Sequence, residues 1–241
     1  MYLKLSSFDK NLKDWVDKQK HWKPSVRNHT LGMIEKGLMD RAITRDIEWG
    51  VPVPIPTYEK KRIYVWFEAV IGYLSASIEW SKSKNNFSRD NNAWKTWWEN
   101  PKAKHYYFQG KDNIPFHTII WPAMLMGYGG LNLPYDVPAN EYLNLEGLKL
   151  STSRNWAVWL PDYLDRYEPD PLRYVLAASM PETSDSDFSW REYVRRNNDE
   201  LVATYGNLVH RVLTMTYRSF DGRVPQPGPL DTESAGLLEE A

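Results

Sequence analysis

The sequence contains a short polar stretch, KLSTSR, whose residue types can bind negative charge. Lys149 stands close to three hydroxyl residues, Ser151, Thr152 and Ser153. A lysine can meet a phosphate as a point charge, and hydroxyl and backbone N–H groups can add hydrogen bonds to it. Taken alone, such a run is typical of a polar turn or a helix cap before an apolar segment. Two interpretations therefore stay open, an anion-binding loop and a plain turn.

Two earlier stretches carry residues that could bind an organic substrate. GKDNIPFH contains Asp112 and His117, and an aspartate at a strand end can accept hydrogen bonds from an ammonium or a sugar hydroxyl. By itself, a helix cap is the simpler interpretation of Asp112. VWFEAVIGY places Trp66 and Tyr73 around a small residue, Ala69. These aromatic residues could line an apolar pocket or only fill a core.

Other kinds of site lack their sequence signals. The chain has no G-x-x-x-x-G-K-[ST], no G-x-G-x-x-G and no G-x-S-x-G motif. It has no cysteine, and its five histidines form no H-x-x-x-H pair, so we predict no zinc site in this chain. Disulfide and thiol chemistry are excluded for the same reason, and the lack of cysteine fits a reducing compartment.

Composition limits the remaining possibilities. The chain has 241 residues, of which 42% are hydrophobic and 25% charged, enough for one large globular domain or two small ones. Its net charge of −1 gives no global attraction to nucleic acid, so any such contact must be local. No secretory signal and no run of about 18 apolar residues is present, so no membrane partner is predicted.

The elements that must position these residues are predicted as alternating strands and helices. Helices are expected within residues 1–40, and a strand at 63–67 should pass into a helix near Ala69. A polar loop is expected at 81–92, and a second strand at 105–109 should lead through a turn into another helix. Such units predict an α/β fold with a mostly parallel sheet, in which ligands collect at the carboxyl ends of the strands.

Helices are predicted to dominate after residue 155. One should cover NWAVWLPDYLDRY, and the next should start with Asp170 as its cap and Pro171 at its first position. Ser189 and Glu192 have capping-box spacing before a long helix. The apolar stripe of that helix is predicted to form a buried face, made by Leu201, Tyr205, Leu208, Val212 and Met215.

In their order, these segments resemble the later part of a methionyl-tRNA synthetase, a class I aminoacyl-tRNA synthetase. The matching segments are DRAITRDIEWGVPVP, YVWFEAVIGY, YYFQGKDNIPFHTIIWPAML, KLSTSR, DPLRYVLAA and NDELVATYGNLVHR. The resemblance implies an α/β fold, the second half of a class I Rossmann-like catalytic domain followed by a mostly α-helical stem-contact and anticodon-binding region. Its implied parts are the end of a connective insertion with return helices (1–45), the catalytic half-domain (46–145), a KMSKS-type loop with the stem-contact region (146–188) and the start of the helical anticodon-binding domain (189–241).

The resemblance also implies a reaction and its residues. The family activates methionine with ATP and Mg²⁺ to methionyl adenylate, then transfers the methionyl group to tRNA(Met), including initiator tRNA. The implied methionine-binding residues are Trp66, Ala69, Tyr73, Asp112, Ile114, His117 and Trp121. The implied ATP-binding loop is Lys149, Leu150, Ser151, Thr152 and Ser153, with Lys149, Ser151 and Ser153 as its catalytic members. Asn207 and Arg211, four residues apart, are implied to read the anticodon.

The sequence departs from the family pattern in two places. Thr152 stands where the KMSKS loop has its second lysine, and no H-x-G-H sequence is present for the other ATP contact. We therefore expect a fragment, or one subunit of a split cytoplasmic enzyme whose N-terminal half completes the site. The isolated chain is then expected not to form methionyl adenylate.

Two alternatives stay open at this point. The isolated chain could be a non-catalytic module that binds tRNA or a partner chain through its helical end. It could also belong to a sister enzyme for leucine, isoleucine or valine. The aromatic residues of VWFEAVIGY and His117 disfavour that second alternative, because branched side chains would not need them.

Overall fold

A computed structural model describes residues 1–83, 90–226 and 228–240. They form two compact units, a first unit of Met1–Tyr142 with Pro181–Asp185 and a second unit of Leu143–Met180 with Ser186–Ala241. Each unit is described by itself. This division does not test the four segments implied by the sequence, which stay a prediction. Part of the polar loop expected at residues 81–92 lies outside the described residues.

The first unit combines short strands with five α-helices in its described residues. The strands are β1 Tyr2–Leu3, β2 Arg41–Ala42, β3 Thr44–Arg45, β4 Arg62–Ile63, β5 Gln109–Gly110 and β6 Ala139–Asn140. The helices are α1 Asp9–Lys18, α2 Pro24–Glu35, α3 Val65–Lys82, α4 Lys95–Trp98 and α5 Trp121–Tyr128, with 3₁₀ turns at Leu5–Phe8 and Lys111–Asn113 and a π-helical turn at Phe116–Ile120. β1 pairs with β2 and β3 with β4 in antiparallel fashion, whereas β5 and β6 are parallel.

The helices expected within residues 1–40 are confirmed. Leu12 and Val16 lie on one face of α1 and are fully buried, as their four-residue spacing predicts. Pro24 occupies the first turn of α2, where its missing N–H costs no helical hydrogen bond. Gly37 follows this helix with φ of 82°, a left-handed conformation that ends helices and favours glycine.

The strand, turn and helix predicted after residue 105 are present, but the strand predicted at 105–109 is an isolated bridge at Tyr106 followed by β5 at Gln109–Gly110. The N–H of Tyr107 donates to the carbonyl of Asp136, and β5 then runs parallel to β6. The 3₁₀ turn, the π-helical turn and α5 connect these two strands. Such a connection allows two strands to pair in parallel. The predicted mostly parallel sheet is wrong, however, because the described strands form four small sheets in which three of five pairs are antiparallel.

The strand predicted at residues 63–67 is also wrong. β4 ends at Ile63, Tyr64 has extended backbone angles, and α3 begins at Val65. The β-branched and aromatic side chains here have strand preference, but that preference depends on packing context. Val70 is buried in the hydrophobic core of the first unit, so tertiary packing of the helix outweighs the local preference. α3 continues to Lys82, where a polar loop was expected.

The second unit contains one three-stranded sheet and a series of helices in its described residues. The strands are β7 Leu143–Leu145, β8 Leu148–Lys149 and β9 Ser186–Phe188, in the order β8-β7-β9. The helices are α6 Leu160–Leu164, α7 Pro169–Ala178, α8 Trp190–Arg195, α9 Asn207–Phe220 and α10 Thr232–Glu240, with a π-helical segment at Arg196–Gly206. β7 and β8 form a hairpin around Glu146 and Gly147, which both have positive φ. Positive φ at both central residues is the backbone conformation of a common two-residue hairpin loop, and glycine adopts it without strain.

Two helix starts of the second unit differ from the sequence prediction. α6 begins only at Leu160, because Trp156 is extended and pairs with the backbone of Ser151. α7 begins at Pro169, so Glu168 is its cap rather than Asp170. Proline fits the first helical position, and Pro169 rather than Pro171 occupies that position here.

The predicted cap of α8 is confirmed. The Oγ atom of Ser189 accepts a hydrogen bond from the backbone N–H of Glu192 at 3.2 Å. The carboxylate of Glu192 binds Arg195 and Arg196. The hydroxyl therefore supplies the cap, while the acid joins a surface ion-pair network.

The apolar stripe predicted as a buried face is exposed except at Leu201, which is half-buried. Leu208 is 61% exposed, and Tyr205, Val212 and Met215 are exposed to a similar degree. The core of the second unit is formed instead by Leu145, Tyr163, Leu172, Val175, Phe188 and Tyr193. Apolar spacing indicates which side chains share a helix face, but it does not determine what covers that face. Within the described ranges, no helix combines the length and apolarity needed to span a bilayer.

Candidate active site

An aromatic cluster lies in the first unit, where α3 packs against the helical turn after β5. The ring centroid of Tyr73 lies 5.1 Å from that of Tyr107 and 5.6 Å from that of His117. Trp121 is 6.5 Å from the Tyr73 ring and is almost fully buried. The structure therefore brings together three of the predicted methionine-binding residues, Tyr73, His117 and Trp121.

Hydrogen bonds fix the state of His117. Its Nδ1 atom is 2.9 Å from the carbonyl oxygen of Asn113, so Nδ1 carries the proton and donates. Nε2 then accepts from the hydroxyl of Tyr73 at 2.8 Å. The side chain is only 4% exposed, and burial lowers the pKa of His117. A neutral imidazole and an oriented phenol therefore form one wall of the cluster.

Tyr107 completes the cluster, although the sequence analysis did not name it. The indole N–H of Trp121 donates to the Tyr107 hydroxyl at 3.0 Å. Burial raises the pKa of Tyr107 to about 12, so the ring stays an uncharged phenol. Alternation along the predicted strand was the available signal, because Tyr107 is buried while Tyr106 and Phe108 are exposed.

Two predicted pocket residues lie at the surface of α3. Trp66 is 53% exposed, and its ring centroid lies 6.1 Å from that of Phe116. Ala69 is exposed one turn further on, and Tyr73 follows on the same face. Ile114 is a buried core residue. The predicted set therefore divides into an exposed helix face and a buried supporting wall.

Asp112 is held by the side chain of Tyr142, which lies two residues after β6. It lies in the 3₁₀ turn after β5, and its Oδ1 atom accepts from the hydroxyl of Tyr142. This hydrogen bond raises the pKa of Tyr142. Neither the turn nor the following π-helical segment has a side-chain cap. The interpretation of Asp112 as a helix cap is therefore wrong.

The KLSTSR stretch forms a closed turn in the second unit. Ser151 and Trp156 exchange two backbone hydrogen bonds of 2.9 Å, which close the turn. The Oγ atoms of Ser151 and Ser153 are 3.2 Å apart, and the guanidinium of Arg154 donates to the carbonyl of Lys149. Leu150 and Thr152 are both exposed. The turn thus presents hydroxyl groups at its surface next to a lysine.

The predicted anticodon-reading residues lie on α9. Asn207 and Arg211 are one turn apart and both exposed, as is Arg218 further along the helix. A face with an amide and two guanidinium groups offers hydrogen bonds and stacking surfaces to unpaired bases. In the part of the chain that the structure describes, no group of three or more His, Asp or Glu side chains could hold a metal ion.

Comparison with known families agrees with this fold and these segments. A family model described as tRNA synthetases class I (M) matches residues 1–213. The chain belongs to this family, and the α/β fold class is confirmed.

Individual relatives make the resemblance more specific. The methionine–tRNA ligase of Thermomicrobium roseum is 56% identical over 240 residues, which are 99% of this chain and 40% of that protein. The ligase of Dehalococcoides mccartyi is 65% identical over 89% of this chain and 38% of its own length. The sequence-based resemblance to methionyl-tRNA synthetases is therefore confirmed, and the chain spans about two fifths of these relatives.

A solved structure extends the comparison to three dimensions. Mycobacterium tuberculosis methionyl-tRNA synthetase in complex with methionyl-adenylate aligns with a TM-score of 0.79 and 30% sequence identity. The alignment covers 99% of this chain and 45% of that one. The sister-enzyme alternative for branched amino acids therefore has no support among these matches.

Proposed function

We propose that this chain supplies the methionine pocket, the nucleotide loop and the first anticodon-reading helix of a methionine–tRNA ligase acting in the cytoplasm. That enzyme forms methionyl adenylate from methionine and ATP and transfers the methionyl group to tRNA(Met). The family match and the names of the relatives support this assignment. The observation that carries the pocket is the hydrogen bond between Tyr73 and His117 inside the aromatic cluster.

The pocket binds the substrate side chain through its aromatic surfaces. A thioether next to an aromatic ring gains about 0.3–1.5 kcal/mol per contact, so Trp66 and Tyr73 favour methionine over an aliphatic side chain of equal length. His117 stays neutral because it is buried, which keeps the pocket wall free of charge. Asp112 accepts from the substrate ammonium, for which an exposed carboxylate beside the cluster is suited.

The KLSTS loop binds the phosphates of ATP. Lys149 supplies positive charge, while Ser151, Ser153 and the backbone N–H groups supply hydrogen bonds. Thr152 brings a hydroxyl where the family pattern has an ammonium, and one such contact to developing charge is typically worth about 2.7–4 kcal/mol. Mg²⁺ would enter with the nucleotide, because magnesium is usually bound through substrate phosphates and only one or two carboxylates.

The helical end of the chain contacts tRNA(Met), including initiator tRNA. Asn207 offers amide hydrogen bonds to base edges, and Arg211 offers a planar guanidinium for stacking. A net charge of −1 makes this contact local, because the chain as a whole does not attract a polyanion.

Methionine binding by the 241-residue chain tests the pocket. Isothermal titration should detect L-methionine and weaker binding of L-norleucine, which replaces sulfur by a methylene. His117→Ala should lower methionine affinity by about tenfold or more, because it removes both a wall and the partner that orients Tyr73. His29→Ala, at an exposed position on α2, is the matched control. Equal affinity for methionine and norleucine, or an unchanged methionine affinity in His117→Ala, would contradict the assignment.

A second assay separates binding from catalysis. The sequence has no H-x-G-H motif, so the chain alone should give no methionine-dependent exchange between ATP and pyrophosphate. Measurable exchange by this chain would show that Lys149 and its neighbours are sufficient for activation, contrary to our expectation.

A further inference from the structure

The second unit contains an aromatic pocket that includes none of the residues of the proposed methionine, ATP and anticodon sites. Its volume is about 460 Å³, which is within the usual range of small-molecule sites. Its aromatic lining residues are Trp156, Trp159, Tyr163, Tyr167 and Trp190. So many rings at one concave surface indicate a ligand that binds by stacking.

Hydrogen bonds fix the two indole rings that the pocket presents to solvent. The indole N–H of Trp156 donates to the carbonyl of Leu145 at 3.0 Å, and that of Trp159 donates to Oδ1 of Asn155 at 2.8 Å. The two tryptophans are nevertheless 37% and 42% exposed. Their ring faces are therefore oriented and accessible, so a planar ligand can stack on them without first ordering them.

Two charged lining residues have unused hydrogen-bonding groups. Asp162 lies in α6 and Arg166 follows that helix, and neither side chain makes a hydrogen bond or ion pair with any residue the structure describes. The third charged lining residue, Glu146, already accepts from the backbone N–H of Trp190 at 2.8 Å. A hydrocarbon ligand would use neither free group, and a cation would leave the guanidinium without an acceptor. A neutral ring with both donors and acceptors at its edge satisfies both.

A guanine base has the ring and the edge that these residues require. Its fused rings provide a large face for stacking, which is how proteins hold the bases of single strands. Its N1–H and N2–H₂ groups are neighbouring donors suited to a carboxylate, and O6 and N7 are neighbouring acceptors that arginine binds in bidentate fashion. Adenine lacks the N1–H donor, and pyrimidines have a smaller face to stack.

We propose that this pocket binds an unpaired guanine base, stacked on Trp156 and Trp159 and held at its edge by Asp162 and Arg166. A free nucleoside and a single-stranded segment of RNA present the same ring and edge, so both are sources of such a base. The inference goes beyond the proposed function and does not depend on methionine binding.

Guanosine binding by the 241-residue chain tests the stacking surface. Isothermal titration should detect guanosine, which has no phosphate to engage the KLSTS turn. Trp159→Ala should weaken guanosine by about tenfold or more, and Trp159→Phe should recover most of the affinity because it keeps a ring. Trp97→Ala, at an exposed position of α4, is the matched control and should change nothing. No binding by the wild type, or equal affinity in Trp159→Ala and Trp97→Ala, would overturn the proposal.

Inosine, which lacks the 2-amino group of guanosine, tests the edge. The wild type should bind inosine several-fold more weakly than guanosine, because one donor to Asp162 is missing. Asp162→Ala should bind both nucleosides with the same reduced affinity. Asp165→Ala removes an exposed carboxylate that does not line the pocket, and it should keep the preference for guanosine. An undiminished preference in Asp162→Ala would refute the assigned edge contact.

Short RNAs distinguish the two sources of the base. Fluorescence anisotropy should compare labelled r(UUGUU) with r(UUCUU), and guanosine should displace the first. Binding of r(UUGUU) at least tenfold tighter than guanosine, lost in Trp159→Ala, would identify an RNA strand as the source, whereas equal affinity would identify the free nucleoside. If r(UUCUU) bound as tightly as r(UUGUU), the pocket would not select guanine and the proposal would be wrong.

Discussion

The two units of this chain use their apolar residues differently. In the first unit, helices α1, α2 and α5 enclose a continuous core that contains fully buried residues such as Leu12, Val26 and Ala123. In the second unit, six residues form the core, and the longest α-helix exposes its apolar face. Similar helical spacing thus produces a buried face in one unit and an exposed face in the other.

The candidate sites follow the same division. The aromatic cluster of the first unit is fixed by hydrogen bonds between buried groups, including Trp121 to Tyr107 and Tyr73 to His117. The KLSTS turn of the second unit is held chiefly by backbone hydrogen bonds at its base. Sites that bind by shape benefit from a rigid frame, whereas loops that close over a ligand come from less stable regions.

The largest predicted difference between the two units is the loss of unfolding free energy when a leucine is truncated to alanine. Leu12→Ala removes a fully buried side chain and should cost about 2–5 kcal/mol of unfolding free energy, as is usual for core truncations. Leu208→Ala truncates an exposed side chain of α9 and should change stability by no more than about 0.5 kcal/mol. Urea unfolding, monitored by hydrogen exchange mass spectrometry, measures the unfolding free energy of both variants. Similar costs at the two positions would mean that α9 is covered in solution.

The buried histidine should make the first unit sensitive to acid. Because burial lowers the pKa of His117 below its ordinary 6.5, the unfolded chain binds this proton more readily than the folded chain. Stability should therefore fall as pH drops below about 6.5, by at most about 1.4 kcal/mol per pH unit from this group. His117→Asn should reduce that slope between about pH 7 and pH 5, and exposed His29→Asn should not. An equal pH dependence of the unfolding free energy in the wild type, His117→Asn and His29→Asn would show that protonation of His117 does not destabilise the fold.

The proximity of the candidate residues was easier to predict from the sequence than the strands that carry them. Tyr73, His117 and Trp121, which the family resemblance implied as one pocket, lie in one aromatic cluster. The prediction of a strand at 63–67 was wrong, because local β preference is weaker than the packing of α3. The hydrogen bond from Tyr142 to Asp112 joins residues 30 positions apart, and no local pattern indicates it.

The exposed face of α9 shows another limit of sequence patterns. A 4-3-4-3 stripe predicts which side chains share a face of a regular α-helix, but Leu201 and Tyr205 lie in the π-helical segment before α9. Burial depends on a second surface, which the stripe does not encode. By contrast, the cap at Ser189 was predictable because both partners lie within one helical turn.

A cap substitution should have a moderate effect confined to the second unit. Ser189→Ala removes the hydroxyl that accepts from the N–H of Glu192 and should destabilise α8 by about 1 kcal/mol. Ser189→Asp keeps an acceptor at the same position and should restore most of the loss. Hydrogen exchange at the first turn of α8 is the direct measurement. Equal exchange in the alanine and aspartate variants would show that the cap contributes nothing.

The smallest effect is expected from the surface ion pairs of the second unit. Glu192 contacts Arg195 and Arg196, and these hydrogen bonds, chiefly from Arg195, lower the Glu192 pKa to about 2. A carboxyl whose pKa is lowered by folding stabilises the protein above its ordinary titration range, and this contribution is lost as pH falls from about 4.5 towards 2. Glu192→Gln should therefore flatten the acid limb of the stability curve, and high salt should reduce the difference.

A more exposed pair in the same unit is the control for this last comparison. Asp170 and Arg173 are 3.9 Å apart, and both side chains are at least 80% exposed. Asp170→Asn should leave stability unchanged, because an isolated exposed pair gains little in water. Glu192 differs in belonging to a network that also includes Glu200, so its charges are held by several partners at once. If Glu192→Gln and Asp170→Asn lowered the free energy of unfolding equally, with the same salt dependence, the network would contribute no more than an isolated ion pair.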